Sequence, residues 1–334
     1  MIHVHFVLLP GSLVLDWAGP AEVLRVANRC LQAQGQAALF ELHFVGPEAQ
    51  AVSSVGALVC GLEPLPDLST SIPRADVHWV VVVGQPGDRV DLSTPAMRAA
   101  LHWLRGLRLH TGRVELLCVC AGAIIAAEAG LLTGRQATTH HQHLDELRQV
   151  DPRCQVQTNR VFVTDGPVCS SAGVTTGIDL FLHRVGGVCG PALAAAVAQS
   201  LVVALRRGPQ DPELSPFLNH RHHLQPMVHR VQDAVSQAPR SDWTLPRLAE
   251  VACTSPRHLT RLFVAHAGIA PQQYVRQIRL AVAQSALRSG LNVGQAADLA
   301  GFSSDTQLRR AWHQAGLMGT PSAADATKQH PGGH

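Results

Sequence analysis

Cys120 stands between a strand-like run, VELLCV, and a helical run, AGAIIAAEAGLL. The small residues Ala121 and Gly122 permit a sharp turn from strand to helix, and such a nucleophile elbow projects one side chain at the carboxyl edge of a sheet. The partial positive charge of a helix N-terminus favours a thiolate there. Cys120 is therefore a candidate nucleophile, although the same edge of an open α/β sheet also binds ligands without any chemistry.

Four further residues are predicted to share a site with Cys120. Asp16 follows the first strand-like run and can meet the sulfur, which makes it the second catalytic candidate. Gly84 follows VVVV and can offer a backbone N–H, while His140, after GRQATT, supplies a polar wall. The predicted ligand-binding set is Asp16, Gly84, Cys120, Ala121 and His140.

A second kind of chemistry, contact with a polyanion, is predicted near the carboxyl end. Segments 244–268 and 292–316 repeat one plan, in which a short helix and a break are followed by an N-capping serine and a second helix. The caps are Ser255 in the first copy and Ser303 or Ser304 in the second. The repeat indicates two helix-turn-helix units, whose second helices enter the major groove of double-stranded DNA. The outward residues at the starts of those helices are Arg257, His258, Thr260, Arg261, Asp305, Thr306, Gln307, Arg309 and Arg310.

Histidines form two local clusters, and neither has the spacing of a metal site. The clusters are His140, His141 and His143, and His220, His222 and His223. Neither group combines with cysteines at a zinc-like spacing. With 19 histidines in the chain, local clustering is expected by chance, so the sequence predicts no metal and no cofactor.

The elements that position these residues differ between the two halves of the chain. The first 200 residues alternate apolar strand-like runs with helical patterns, which predicts an α/β domain with a buried parallel sheet. The predicted strands are 4–9, 39–46, 77–84 and 114–120, with a hairpin at 161–173. The predicted helices are 20–34, 94–110, 121–132, 175–185 and 190–206. After about residue 226 the pattern is helical throughout.

Charge also divides the chain. The net charge is +3 over 334 residues, but residues 1–224 carry −2 and residues 225–334 carry +5. A basic segment attached to a nearly neutral one is typical of a polyanion-binding module. With 46% apolar and 15% charged residues, the composition excludes a disordered protein. Apolar runs are too short for a membrane span, no secretory signal is visible, and eight cysteines without CxxC pairs indicate the cytoplasm.

Two domains and a linker are predicted from the change in composition. Residues 206–225 contain several prolines, charges and histidines, which is typical of a linker. The predicted division is a sensor domain at 1–205, a linker at 206–225, a DNA-binding domain at 226–325 and a flexible tail at 326–334.

The basic module closely resembles the DNA-binding domain of AraC/XylS-type transcription regulators over about 90 residues. The resemblance rests on SPRHLTRLF, on the GFS that opens the second unit, and on a signature formed by Gly268, Pro271, Tyr274, Arg279 and Leu280. The closing segment AWHQAGLMGTP (311–321) departs from the usual spacing.

Residues 1–200 resemble the PfpI-like branch of the class I glutamine amidotransferase-like superfamily. The matching pieces are LDWAGP, VVVVG, VCAGA, AEAGLLTGRQATTH and TDGPVCSSAGVTTGIDL. The resemblance implies a flavodoxin-like parallel sheet sandwiched by helices. Proteolytic relatives place histidine after the cysteine and isonitrile-hydratase-like relatives place a hydroxyl residue there, whereas this chain has Ala121; His141 also replaces an aromatic residue. These departures favour ligand binding over turnover, so the chain is predicted not to be an enzyme.

Together the two resemblances predict a transcription regulator whose α/β domain senses a small metabolite. The implied partners are double-stranded DNA, a small-molecule effector, a second copy of the chain and, for an activator, RNA polymerase; no membrane is implied. Two alternatives remain. One is a cysteine-dependent hydrolase or hydratase of a small nitrogen-containing substrate with an attached DNA-binding module, and the other is a sensor of oxidation at Cys120.

Overall fold

A computed structural model of the chain describes residues 1–68, 76–203, 207–209, 220–221, 223–288, 290–317 and 320–321. The chain divides into two units, Met1–Glu213 and Leu214–His334. Most of the predicted linker, all of the predicted tail, and His222 lie outside the described residues. Among the described residues, no helix is both long and apolar enough to cross a membrane.

The first unit is built on a mainly parallel sheet. Its strands are β1 (Ile2–Val7), β2 (Phe40–Gly46), β3 (Gln50–Val52), β4 (Leu58–Cys60), β5 (Glu63–Pro64), β6 (Val77–Val82), β7 (Val114–Val119), β8 (Gln136–Ala137), β9 (Gln155–Val156), β10 (Phe162–Asp165) and β11 (Val168–Ser171). The strand order in the sheet is β10-β11-β7-β6-β1-β2-β5, and only β10 runs antiparallel to its neighbour. Every residue of β7 is buried, as expected for a strand covered on both faces. The predicted α/β fold is therefore confirmed.

Helices cover this sheet. The helices of the first unit are α1 (Val14–Ala33), α2 (Pro95–Gly106), α3 (Gly122–Glu128), α4 (Leu144–Val150), α5 (Thr175–Cys189) and α6 (Pro191–Ser200), with a 3-10 turn at His141–His143. Helix α1 packs against α5 and α6. Phe181 of α5 contacts Phe6 of β1 and Trp79 of β6, so these positions face the α5 side of the sheet.

The start of α1 differs from its prediction in a way that matters for the site. The sequence pattern predicted a helix over residues 20–34, which would place Pro20 at the first helical position, where proline is favoured. The helix instead begins at Val14 and contains Pro20. This earlier start places Asp16 in the first turn of α1 rather than in a loop.

The second unit is all helical and contains the two predicted helix-turn-helix units. Its helices are α7 (Pro226–Gln237), α8 (Leu245–Val251), α9 (Pro256–Ala267), α10 (Pro271–Arg288), α11 (Val293–Ala300) and α12 (Asp305–Gln314). The first core includes Phe263 and Tyr274, whereas the second includes Leu287 and Trp312. Because α10 supplies Tyr274 to one core and Leu287 to the other, it joins the two helix-turn-helix units. The predicted all-α domain with a duplicated helix-turn-helix is confirmed.

Candidate ligand site and DNA-binding surface

Cys120 occupies a sharp turn between β7 and α3. Its φ is 58°, a conformation that costs energy for any residue with a side chain and that is held by the surrounding structure. The Cys120 N–H donates to the Ser171 carbonyl at 3.0 Å, and its carbonyl accepts from the Thr139 hydroxyl at 2.8 Å. Gly122 permits the turn, because a Cβ there would lie 2.1 Å from the Val82 carbonyl oxygen. The local geometry is that of a nucleophile elbow.

Asp16 is fully buried and ties three segments of the site together. Its Oδ2 accepts a hydrogen bond from the Gly84 N–H at 3.3 Å, and its Oδ1 accepts one from the Val174 N–H at 2.8 Å. Burial raises the pKa of the Asp16 carboxyl, while the hydrogen bonds from Val174, Gly84 and Cys120 act in the opposite direction. The Gly84 N–H, which the sequence suggested for a ligand, is therefore donated to Asp16.

Glycine at position 173 closes the cysteine site from the side of β11. Gly173 has φ +89°, and a Cβ there would lie 2.3 Å from the Cys120 Cβ and 2.7 Å from its Sγ. Only 4% of the Cys120 surface is exposed. The sulfur therefore lies in a closely packed enclosure.

His140 lies next to the site through the backbone rather than through its ring. It follows Thr139, the residue that bonds the Cys120 carbonyl, and its ring packs 4.1 Å from that of His141. Burial lowers the pKa of His140 to about 4, and the nearby His141 and His143 act in the same direction. The ring is thus neutral at neutral pH.

The structure brings together Asp16, Gly84, Cys120 and Ala121 of the predicted set. A Cβ on Gly84 would lie 2.9 Å from the Ala121 nitrogen, which shows how closely the two turns approach. Sequence reasoning missed three contributors, which are Thr139, Gly173 and Val174. The signal for the last two was available, because both directly follow the strand-like run that ends in SSA, at the same sheet edge.

The first predicted DNA-binding helix, α9, presents two exposed arginines. Arg257 and Arg261 are exposed and lie one helical turn apart, whereas His258 and Thr260 are half-buried. The Thr260 hydroxyl donates to the Pro256 carbonyl at 2.9 Å, and an Arg261 guanidinium nitrogen lies 3.0 Å from His258 Nδ1. The arginines are therefore the side chains that this helix offers to a partner.

The second predicted helix, α12, is exposed at all five predicted positions, which are Asp305, Thr306, Gln307, Arg309 and Arg310. Gln307 has a structural task as well, because its Oε1 accepts from the Ser303 N–H at 2.8 Å. The cap of α12 is Ser304, which accepts from the Gln307 N–H at 3.2 Å. Gln307 and Arg310 also line a cavity of about 390 Å³ between α10 and α12, together with Arg276 and Arg279.

Two family models match the chain. The model described as the DJ-1/PfpI family matches residues 3–185, and the one described as a helix-turn-helix domain matches residues 248–318.

Named relatives share both domains. The HTH-type transcriptional regulator CdhR of Pseudomonas aeruginosa is 32% identical over 326 residues, which cover 95% of this chain and 89% of CdhR. The HTH-type transcriptional regulator GbdR of the same species is 27% identical over 93% of this chain and 81% of its own length. A crystal structure of an AraC family transcriptional regulator from Pseudomonas putida covers 60% of this chain and 100% of its own, at 21% identity and a TM-score of 0.48.

Proposed function

Because the chain belongs to the DJ-1/PfpI family and ends in a helix-turn-helix domain of the AraC type, we propose that it is a DNA-binding transcription regulator that responds to a small molecule. One observation carries the DNA part of this proposal. Two helix-turn-helix units, joined by α10, each expose arginines near the start of the second helix. Such side chains reach guanine edges and phosphates when the helix lies in the major groove.

The two arginines of α9 are proposed to read DNA as a pair. Arg257 and Arg261 lie on one helix face, and the contact between Arg261 and His258 restrains the Arg261 guanidinium before DNA arrives. Restraining a side chain in advance lowers the entropic cost of binding. Arg261 is therefore the residue whose loss should weaken specific binding most clearly within this helix.

The DNA test uses purified full-length protein and fluorescence anisotropy with native promoter fragments. Arg261→Ala should weaken specific binding by about 1–3 kcal/mol, because a base-contacting arginine contributes on that scale. Arg29→Ala is the matched control, since Arg29 is an exposed arginine of the first unit. Equal affinities for the Arg261 variant and the wild type would contradict the role of α9.

The proposed effector site is the enclosure around Cys120. The thiol, the Asp16 carboxyl and the backbone of Gly84 and Ala121 meet there, and His140 adjoins the site through the backbone of Thr139. The close packing around the sulfur favours a small metabolite. An effector that binds one conformation of this domain better than another would shift the equilibrium between them, and through it the affinity for DNA.

We propose that this site binds its ligand without turning it over. Ala121 follows the cysteine, so the position where hydrolytic and hydratase relatives carry a helper group has no side-chain donor or acceptor. The Asp16 carboxyl contacts the thiol, but both of its oxygens already accept hydrogen bonds from the N–H groups of Gly84 and Val174.

A cysteine-dependent hydrolase or hydratase is the second candidate, and the strained elbow at Cys120 favours it. The discriminating variant is Cys120→Ser. Turnover of a small amide, nitrile or isonitrile that disappears in this variant would establish the enzyme. A change in effector response with DNA binding retained would support the regulator. Oxidation sensing predicts instead a DNA affinity that changes with peroxide and recovers with reductant.

Pairing of two chains through the α/β domain is also proposed, because two modules on neighbouring half-sites gain effective concentration. Sedimentation of the full-length protein tests this directly.

The proposal includes a cytoplasmic location and, for an activator, contact with RNA polymerase. The division into a sensor at 1–205, a linker at 206–225, a DNA-binding domain at 226–325 and a tail at 326–334 predicts that protease cuts first within the linker.

A further inference from the structure

Four histidines from three neighbouring strands meet on one face of the sheet in the first unit. His3 and His5 lie on β1, His43 lies on β2 and His78 lies on β6. The register pairs His5 with His43 and His3 with His78, so all four side chains share a face. This face is opposite to the one that contacts Phe181. Neighbouring rings stack with centroids 4.9–5.5 Å apart.

Two of these histidines, His3 and His43, converge with Glu41 of β2 at metal-ligand spacing. His3 Nδ1 lies 3.2 Å from His43 Nε2 and 3.2 Å from Glu41 Oε2, and His43 Nε2 lies 4.0 Å from Glu41 Oε1. Ligands at 2.0–2.1 Å from a tetrahedral zinc ion stand about 3.3 Å apart. Among the described residues, these three side chains offer ligand atoms that lie within 4.8 Å of one another.

Carboxylates stand behind both imidazoles. His43 Nδ1 lies 3.2 Å from Glu63 Oε2, and His3 Nε2 lies 3.9 Å from Asp76 Oδ1. Metal-bound histidines usually donate their outer N–H to such a carboxylate, which fixes the tautomer and raises ligand basicity. In that tautomer the inner nitrogens, His3 Nδ1 and His43 Nε2, would each offer a lone pair to a bound cation.

We propose that His3, Glu41 and His43 form a binding site for a divalent transition-metal ion such as Zn²⁺, with Glu63 and Asp76 orienting the two imidazoles. Two imidazoles with one carboxylate suit Zn²⁺, Co²⁺ or Ni²⁺ better than Mg²⁺ or Ca²⁺, which prefer oxygen ligands. The His3 and His43 side chains are 22% and 19% exposed, so an ion can enter and keep a water ligand.

The site is distinct from the cysteine site. His3 and His78 lie near the amino ends of β1 and β6, whereas Cys120 follows the carboxyl end of β7, and in parallel strands these ends are opposite edges of the sheet. It also differs from the two histidine clusters that are adjacent in the sequence. The metal proposal therefore does not depend on the proposed function.

The test measures Zn²⁺ binding to untagged full-length protein that has been dialysed against chelator. Competition with a chromophoric chelator should show a site that His43→Ala weakens at least 100-fold. Glu63→Gln should weaken it roughly 10- to 100-fold, because it removes an orienting carboxylate. His102→Ala is the control, because His102 is an exposed histidine on α2, and its affinity should match the wild type.

Co²⁺ gives a second readout, since a tetrahedral site produces a visible absorption that His43→Ala should abolish. Should the His43 variant fail to fold, Glu41→Gln replaces it, because Glu41 is 53% exposed and its loss leaves the sheet packed. Absence of Zn²⁺ binding in the wild type would overturn the proposal. So would binding that the Glu41, His43 and Glu63 variants leave unchanged, because the ion would then lie elsewhere.

Discussion

The two candidate sites of this chain are built in opposite ways. At the cysteine site, Asp16 is fully buried, Cys120 is 4% exposed, and the polar groups bond one another. On α9, Arg257 and Arg261 stand outside the core. A residue that meets DNA must remain accessible, whereas a residue that senses a small molecule can be part of the packed interior. Substitutions at the cysteine site should therefore affect folding and function together. Substitutions of exposed residues on α9 and α12, the predicted DNA-binding helices, should affect DNA binding alone.

The largest expected effect is that of Gly173→Ala. The added Cβ would lie 2.3 Å from the Cys120 Cβ, and the residue would also have to adopt φ +89°. We expect a loss of at least about 3 kcal/mol in the free energy of unfolding, measured by urea denaturation.

Gly35→Ala is the matched control for this substitution. Gly35 has φ +75° but no atom within 4 Å of the added Cβ, so only backbone strain of about 1 kcal/mol should appear. Equal losses in the two variants would show that the enclosure around Cys120 is not tightly packed.

A smaller effect is expected for Asp16→Ala. The change leaves the N–H groups of Gly84 and Val174 without their acceptor, and each unpaired buried donor costs about 1–3 kcal/mol. The substitution also removes the cost of burying the carboxyl, which offsets part of that loss. We therefore expect the free energy of unfolding, measured by urea denaturation, to fall by about 2 kcal/mol. Asp88→Ala, at an exposed position of the same unit, should change stability by less than about 0.5 kcal/mol. A stable Asp16 variant would remove Asp16 from its central place in the site.

The smallest effect concerns pH and His140. Burial holds the pKa of His140 at about 4, against a usual value of 6.5, so the folded state resists protonation that the unfolded chain accepts. Above pH 6.5 His140 is neutral in both the folded and the unfolded chain and costs no stability. As the pH falls from 6.5 toward 4, the unfolded chain takes up a proton that the folded state resists, so the free energy of unfolding decreases. His140→Gln should flatten this dependence by on the order of 1 kcal/mol at pH 5, because partial solvent exposure reduces the effect. Denaturation curves at pH 7.5 and pH 5 would show it, and parallel losses in both proteins would contradict it.

The helix-turn-helix units could be predicted because their signals are local. Ser255 caps α9 as expected, and the repeat of helix, break and capped helix is visible in the sequence without tertiary information. The meeting of Asp16 with Cys120 could also be predicted, because both follow strands that end at one sheet edge. The predicted start of α1 at residue 20 was wrong, because the helix begins at Val14 and accommodates Pro20 in its interior.

Other features depend on contacts that the sequence does not display. The positive φ of Cys120 and of Val174 is imposed by packing and by the bond from Val174 to Asp16. The group of His3, Glu41 and His43 depends on strand register, since His3 and His43 are 40 residues apart in the sequence and are brought together by the pairing of β1 with β2. A search for histidines close in sequence therefore missed them.

The most direct measurement recovers fragments of the native genome bound by purified full-length protein at low ionic strength, with and without candidate metabolites. A variant that carries Arg257→Ala and Arg261→Ala is measured in parallel. We predict discrete promoter fragments that the wild type enriches, that the variant loses, and whose recovery changes with one class of metabolite. Fragments recovered equally by both proteins would contradict DNA recognition by α9, and no enrichment at all would contradict DNA binding by the helix-turn-helix units.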